Sequence, residues 1–198
     1  MSFNEQQAIQ ETRDGDAKAF RDLVEHHKKN VYYLALDLTG NHHDAEDLAQ
    51  DVFVKMYNSL DSYRGDGKLS SWLYRITVNL CINKKRKKAL NSMKLQEDFS
   101  REKSNSASFD GGRVQENPER TTDSTLAQAH INNALQSLSE RERAVFVLRH
   151  YKDLPLKEIA LSLDIAEGTV KGLLFRAIRK LQVELSFYRQ DLGLEVSK

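Results

Sequence analysis

The residues that could do chemistry are densest near the carboxyl end, in the segment LPLKEIALSLDIAEGTVKGLLFRAIRKL at 154–181. Its apolar periodicity predicts a short helix at about 156–163, a turn of three or four residues, and then a longer helix, which is helix-turn-helix spacing. Residues 168–189 carry five Lys/Arg and one Glu, so the longer helix has the charge to approach phosphates. Its inward stripe is formed by Val170, Leu174, Ala177 and Leu181.

The outer face of that longer helix carries the side chains that could contact DNA. A recognition helix reads bases with its first turns, where an arginine can pair bidentately with guanine. The residues lying away from the inward stripe are Lys171, Phe175, Arg176 and Arg179. An ordinary helical hairpin with a basic face is the alternative, and the spacing favours DNA binding over it.

A second group of polar and aromatic residues follows the turn YRGDGKL at 63–69. Trp72 offers an aromatic face that suits an unpaired base, but it also begins an apolar helical stripe, so partial burial is an equal alternative. Four residues at spacings of four, four and three share one helical face, namely Arg75, Asn79, Asn83 and Arg86. Their amide and guanidinium groups can bond exposed base edges, and the basic tract at 84–88 can neutralise a phosphate backbone.

An acidic segment precedes these basic ones. Residues 1–60 carry 6 Lys/Arg against 11 Asp/Glu, whereas residues 61–96 carry 9 against 2. This division indicates two different partners, a basic protein surface and a polyanion. Asp44 and Asp47 suit the first turn of a helix, where acidic side chains favour the helix dipole, while Gln50 and Asp51 lie away from the apolar stripe and could dock on a protein.

No arrangement of residues supports catalysis. The sequence has no Walker loop, nucleophile elbow or HExxH motif, and the pairs His26-His27 and His42-His43 lack matching Cys or carboxylate spacing for a metal. We therefore predict no enzymatic activity, no cofactor and no metal. The single cysteine, Cys81, favours a reducing cytoplasm, and we expect neither a signal peptide nor a membrane span.

Helical periodicity on both sides of a polar middle predicts an all-α protein of two small domains. A helix over 17–39 should stop at Gly40-Asn41, a second should cover about 45–60, and Ser70 or Ser71 should cap a third. Residues 93–125 are polar and read as a flexible linker. Ser139 and Glu142 predict a capping box in the second domain. The predicted units are 1–92, the linker 93–125, and 126–198 with the helix-turn-helix.

Three segments resemble one known family, the extracytoplasmic-function (ECF, group 4) sigma factors of the sigma-70 family. GTVKGLLFRAIRKL (168–181) is similar to the family's recognition helix, and DAEDLAQDVFVKMY (44–57) to the helix that grips the polymerase clamp. SYRGDGKLSSWLYRITVNLCINKKRKK (62–88) is similar to the segment that recognises and opens the minus-ten promoter element. The three occur in the family's order.

The resemblance implies a factor that binds core RNA polymerase and directs promoter-specific initiation, as a monomer when free. Its partners would be the beta-prime coiled coil and beta flap of the polymerase, promoter DNA and an anti-sigma factor. The alternative is a free-standing helix-turn-helix repressor or activator. The expected minus-thirty-five contacts are Thr169, Lys171, Gly172, Phe175, Arg176 and Arg179. The expected minus-ten contacts are Tyr63, Lys68, Trp72, Arg75, Asn79, Asn83 and Arg86. The expected polymerase contacts are Asp44, Asp47, Gln50 and Asp51.

Some positions depart from the family pattern. Gly172-Leu173 stands where Ser-Arg is usual, and Asn83 replaces a carboxylate with an amide. Asp164 and Ala166 occupy turn positions where the family often has Gly and Ser, which predicts a weaker helix stop and cap.

Overall fold

The computed structural model describes residues 3–65, 67–99 and 123–188, and within these ranges it contains eight α-helices and no β-strand. A short 3-10 turn at Leu60–Ser62 joins the third helix to the fourth. The helices are α1 (Glu5–Arg13), α2 (Ala17–Thr39), α3 (His42–Ser59), α4 (Leu69–Phe99), α5 (Asp123–Gln136), α6 (Glu140–His150), α7 (Leu156–Leu163) and α8 (Glu167–Glu184). The all-α prediction is confirmed, with α1–α4 as the amino-terminal domain and α5–α8 as the carboxy-terminal domain.

Local sequence signals set several helix ends as expected. Gly40 adopts the left-handed conformation, with φ of 85°, and closes α2 by donating its N–H to the Leu36 carbonyl. Ser139 and Glu142 form the predicted capping box, in which each side chain bonds the other residue's backbone N–H. α7 begins and ends at the predicted residues. These ends depend on residues close in the chain, which is why the pattern alone found them.

Two features of the amino-terminal domain differ from expectation. Helix α1 was not predicted; its buried residues Ala8 and Ile9 pack into the core. The third predicted helix begins at Leu69, so Ser70 and Ser71 lie inside its first turn and the prediction of a serine cap is wrong. Leu69 is fully buried, and anchoring it in the core draws the helix start ahead of the two serines.

Residues 100–122, most of the predicted linker 93–125, lie outside the described residues. α4 continues to Phe99 and α5 begins at Asp123, so helix extends into both ends of that segment. The domain boundaries stay a prediction. No helix in the described part of the chain combines the length and apolar character needed to cross a membrane.

The two domains share a contiguous core. It is built from α1–α4 residues such as Leu23, Leu34 and Leu73 together with α6–α8 residues such as Ile159 and Val170, and all five are fully buried. A smaller cluster holds α5 against α8 and consists of Ala134, Leu135, Leu138, Ala177 and Leu181. Because the core is continuous, the faces of α4 and α7 that meet are held in a fixed relation.

Candidate nucleic-acid interface

The helix-turn-helix is formed by α7, a short turn and α8. Asp164 ends α7 in the left-handed conformation, with φ of 53°, and donates its backbone N–H to the Ala160 carbonyl. Ala166 begins α8 without a side-chain cap. Both helix ends therefore form without the glycine and serine that are usual there, and the fold supplies the remaining support through the buried residues of α7 and α8.

The inward stripe of α8 differs by one residue from the predicted one. Leu173 is 6% exposed and belongs to the core, whereas Leu174, which the pattern placed in the stripe, is only partly buried. The physical reason is that α8 packs on both α6 and α7, so its buried arc is wider than a single stripe. Leu173 therefore occupies a core position, and its apolar character fits that place.

All six proposed minus-thirty-five contact residues lie on the outer side of α8. Thr169, Lys171, Phe175, Arg176 and Arg179 are exposed and Gly172 is partly exposed. The Phe175 side chain is 62% exposed, and the Arg179 guanidinium carbon lies 5.8 Å from its ring centroid, at cation–π distance. Helix α8 thus presents a face of cations around one large exposed ring.

Glu142 of α6 binds two cations of α8 from beneath this face. Its carboxylate is 6% exposed, lies 2.7 Å from Lys180 Nζ and 3.4 Å from Arg176 Nε, and also takes part in the capping box. Burial alone would raise the Glu142 pKa, but hydrogen bonds from Lys180 and Ser139 outweigh it and hold the pKa at about 2. The sequence indicated only the capping role of Glu142, because Arg176 and Lys180 lie 34 and 38 residues away along the chain.

The proposed minus-ten residues on α4 share one exposed face. Arg75, Asn79, Asn83 and Arg86 are all exposed, as their spacing indicated. Asn79 Nδ2 donates a hydrogen bond to the Ser162 carbonyl of α7 at 3.4 Å. This face therefore begins beside the carboxy-terminal domain and runs along α4 away from it.

One wall of a cleft of about 730 Å³ is formed by the turn before α4 and the first turns of α4, and the other by α7 and the segment that precedes it. Tyr63, Lys68, Trp72 and Arg75 line one wall, so the structure brings four of the seven proposed minus-ten residues together. The Tyr63 hydroxyl donates to the Gly67 carbonyl, and the rings of Tyr63 and Trp72 lie 5.3 Å apart. The Trp72 side chain is partly buried against the core and also lines the cleft. It therefore combines the two alternatives that the sequence allowed, partial burial in the apolar stripe and an accessible aromatic face.

The basic tract at 84–88 is partly neutralised within the protein. Lys84 Nζ lies 2.5 Å from Asp51 of α3, and Lys85 Nζ donates to the Leu38 carbonyl of α2 at 3.1 Å. Burial lowers the pKa of Lys85, and the nearby Arg143 lowers it further. Arg86, Lys87 and Lys88 are exposed, as is Lys84, whereas Lys85 is partly buried. The sequence did not indicate that Lys84 and Lys85 have internal partners, because those partners lie on α3 and α2, which are distant in the chain.

Helix α3 carries the proposed polymerase contacts on its exposed side. Asp44, Asp47, Gln50 and Asp51 are all exposed. Asp44 is also bound at the helix start, where Asn41 Nδ2 donates to its carboxylate at 2.7 Å, and Asp51 pairs with Lys84. Asp44 and Asp51 are therefore exposed and each also has a partner within the protein.

Two apolar residues extend this acidic face. Val54 is 61% exposed and Tyr57 is 56% exposed, at helical spacings of four and seven from Gln50. The spacing of apolar residues at three and four along 45–60 predicts that Tyr57 belongs to the buried stripe, and this prediction is wrong. The Tyr57 ring lies at the margin of the core, 5.0 Å from the ring of Phe20. Aromatic side chains such as that of Tyr57 are enriched in protein contact surfaces.

The histidine pair His26-His27 lies beside a carboxylate that the sequence did not associate with it. Glu5 of α1, His26 and His27 have ligating atoms within 4.8 Å of one another. His27 is 4% exposed, its Nε2 lies 2.8 Å from Glu5 Oε1, and burial lowers its pKa. The hydrogen bond between His27 and Glu5 joins α2 to α1, which explains why the three side chains lie close together. Cys81 is 5% exposed, and burial raises the pKa of its thiol, as expected of a small core residue.

Comparison with known proteins places both domains in one family. Residues 23–90 match Sigma-70 region 2, and residues 134–183 match Sigma-70 region 4. The chain is 34% identical over 180 residues to the ECF RNA polymerase sigma factor SigW of Bacillus subtilis, covering 89% of this chain and 94% of the relative. It is 33% identical over 177 residues to the ECF RNA polymerase sigma-E factor of Escherichia coli K12, covering 88% and 91%.

Solved structures agree on the fold. The sigma factor RpoE of Bartonella quintana, in complex with the anti-sigma factor NepR, aligns with a TM-score of 0.65 at 24% identity, over 86% of this chain and 98% of that one. CnrH, in complex with the cytosolic domain of CnrY, aligns at 0.61 and 22% identity, over 92% and 97%. The matches confirm the prediction of a sigma factor over that of a free-standing helix-turn-helix regulator. The chain belongs to the sigma-70 family of RNA polymerase sigma factors.

Proposed function

We propose that this chain is an ECF (group 4) sigma factor that attaches core RNA polymerase to promoters carrying minus-ten and minus-thirty-five elements. The observation that carries the proposal is the presence of three distinct exposed faces on one chain: acidic and apolar on α3, polar and basic on α4, and basic on α8. The polymerase performs the chemistry, and the protein acts in the cytoplasm, where the polymerase works.

Helix α8 reads the minus-thirty-five duplex. Arg176 is the proposed base reader, because its guanidinium can pair with both acceptors of a guanine in the major groove. Glu142 orients that side chain through its Nε while leaving the outer guanidinium nitrogens for DNA. Lys171 sits one turn earlier and contacts phosphate, while Phe175 offers an apolar surface for a thymine methyl group.

Helix α4 and the turn before it capture the minus-ten element after it opens. Asn79, Asn83 and Arg86 bond base edges along the exposed face, and the cleft beside Trp72 receives an unstacked base. Extruding a base costs a few kcal/mol, so a shaped cleft contributes specificity as well as affinity. The exposed cations Lys87 and Lys88 approach the backbone phosphates.

Helix α3 binds the coiled coil of the beta-prime subunit, and the carboxy-terminal domain binds the beta flap. The support is the combination of Gln50 with Asp47 on one side and the exposed Val54 and Tyr57 on the other. The acidic residues match a basic partner surface, and the apolar residues supply area that burial stabilises. Asp44 and Asp51 contribute charge although each has an internal partner.

An anti-sigma factor is the proposed regulator. The two solved proteins of similar fold were each determined with a second protein bound, the anti-sigma factor NepR in one case and the cytosolic domain of CnrY in the other. We extend such a complex to this chain and expect the free protein to be a monomer. Its units are proposed to be residues 1–92 and 126–198 with the linker 93–125 between them.

The decisive experiment is a pull-down with core RNA polymerase followed by run-off transcription on genomic fragments. Retention on core and discrete start sites are expected. Gln50→Ala should lose core binding, whereas Lys29→Ala, an exposed control on α2, should keep it. A wild-type chain that shifts duplex DNA by itself but never binds core would overturn the proposal in favour of a repressor or activator.

A further inference from the structure

Helix α1 ends on a side chain that reaches the turn before α4. Arg13 is the last residue of α1, and its Nη2 donates hydrogen bonds to the Leu60 carbonyl at 3.0 Å and to the Tyr63 carbonyl. Leu60 begins the 3-10 turn, and Tyr63 is the residue that follows it. These two residues lie 47 and 50 positions from Arg13 along the chain. One guanidinium nitrogen therefore links α1 to both ends of the 3-10 turn.

Arg13 extends from a helix whose position is fixed by other contacts. Ile9, on the inner side of α1, is 6% exposed and belongs to the core. The start of α1 is bound to α2 by the 2.8 Å hydrogen bond between Glu5 and His27. At the other end, Gly15 adopts the left-handed conformation, with φ of 94°, where the chain turns into α2. The bonds from Arg13 therefore restrain the two carbonyls relative to the core.

The turn at 63–69 has few restraints from burial. Leu69 at its end is buried and Tyr63 at its start is partly buried, whereas the described residues between them are exposed. A segment with few buried contacts opens at little cost in free energy unless hydrogen bonds hold it. The shape of this turn therefore depends on the bonds made at its start, where Arg13 binds the Tyr63 carbonyl.

Tyr63 carries the restraint from Arg13 into the proposed minus-ten cleft. Its backbone is extended, and its hydroxyl donates to the Gly67 carbonyl across the turn. Its ring lies 5.3 Å from the ring of Trp72, and Tyr63, Gly67 and Trp72 all line the cleft. A shift of the Tyr63 backbone would therefore move both the turn and one aromatic side chain of the cleft wall.

A purely local role for Arg13 accounts for less of this geometry. A cation in the last turn of a helix is favoured by the helix dipole, but that effect requires no contact with another segment. The Leu60 carbonyl already accepts the Tyr63 N–H at 3.0 Å, so it does not need Arg13 as a hydrogen-bond donor. What the Arg13 bonds add is a fixed direction for the chain as it leaves the 3-10 turn.

We propose that Arg13 is a positioning residue for the minus-ten element: it holds the turn at 63–69 in the shape that receives an unstacked base. The inference rests on the proposed function of the cleft. Arg13 acts through the Tyr63 backbone and does not itself touch DNA. Binding to a turn that is already ordered avoids the entropy cost of ordering it, so the gain appears as affinity for the captured base.

The shape of the turn can be followed in the free protein. Trp72 is the only tryptophan of the chain, so its fluorescence reports on the cleft without a label. Arg13→Met removes the hydrogen-bond donors and keeps an unbranched side chain with similar helix propensity. Arg21→Met is the matched control, because it removes the same type of cation from an exposed position on α2. Acrylamide quenching of Trp72 is expected to rise in Arg13→Met and to stay at the wild-type level in Arg21→Met.

Base capture is measured with the chain bound to core polymerase. The probes are fluorescent non-template single strands from a promoter found by the run-off experiment, each with one minus-ten base replaced by an abasic site. With the wild type, removing the captured base should lower affinity more than removing any neighbour. Arg13→Met should lower affinity for the intact strand about tenfold if one in ten arrangements of the turn stays competent. It should also lose most of the extra effect at the captured position, whereas Arg21→Met should keep it.

The ratio of affinities for intact and abasic strands is measured on one preparation, so a smaller folded fraction of the variant cancels from it. Unchanged quenching with Arg13→Met, or a wild-type ratio at the captured position, overturns the positioning role. An equal loss at every abasic position with a weaker salt dependence would mean that Arg13 binds phosphate itself, which also overturns it. A wild-type profile without any position effect instead refutes the proposed role of the cleft, and this inference falls with it.

Discussion

Glu142→Gln removes a buried negative charge that Lys180 and Arg176 of the recognition helix share. Glutamine can keep the capping box, because its side-chain oxygen still accepts from the Ser139 N–H. The substitution therefore separates the ion pairs from the helix cap. We expect it to weaken the contact between α6 and α8 while the start of α6 stays helical.

The size of the effect follows from the Glu142 pKa of about 2 against an ordinary 4.5. That difference corresponds to at most about 3 kcal/mol of stability. Because the folded pKa is depressed, this stability is present above pH 4.5 and is lost as the pH falls toward 2. Lys180 and Arg176 are 48% and 58% exposed, so solvent screens the pairs. We expect a loss of about 1–2 kcal/mol for Glu142→Gln at neutral pH.

Urea unfolding followed by circular dichroism measures this loss at about pH 7 and again at about pH 3. The deficit of the variant should be smaller at the lower pH, because the wild-type carboxylate begins to protonate in the unfolded state. Glu140→Gln is the matched control; that side chain is exposed in the same helical turn and should change stability by less than about 0.5 kcal/mol. A Glu142→Gln deficit that is the same at both pH values, or no deficit at neutral pH, would refute the reasoning.

Three further outcomes are expected. Arg176→Ala should cost about 1–3 kcal/mol of DNA-binding free energy and relax discrimination at one minus-thirty-five base pair, measured by transcription from promoter mutants. Lys171→Ala should instead weaken binding to all sequences evenly and flatten its salt dependence. Unchanged discrimination with Arg176→Ala contradicts the assignment. Asn79→Ala should keep core binding but lower the permanganate reactivity of promoter thymines, with transcription largely restored on a pre-melted template, and loss of core binding would count against it. Limited proteolysis should cut first between Phe99 and Thr122, where the sequence offers little to bury, and not within 44–60 or 156–181.

Much of the fold and of the outer faces could be predicted from the sequence, because helices and their ends depend on residues three or four positions apart. The apolar spacing of α2, the left-handed Gly40 and the Ser139–Glu142 box are signals of this kind. The exposure of Asn79 and Arg176 follows from the same periodicity. The order of the three family-like segments was likewise sufficient to identify a sigma factor.

Contacts between distant residues were decided by the tertiary structure. Arg143 bonds the Leu38 carbonyl across 105 residues of sequence, and no local pattern marks either residue as a partner. The same holds for Glu142 beneath Arg176 and for Lys84, which pairs with Asp51 instead of remaining free for phosphate. Periodicity shows which side of a helix is buried, but only packing determines what covers it. For that reason the sequence determined which faces of the helices are exposed, whereas the tertiary structure decided which internal partners their charged side chains have.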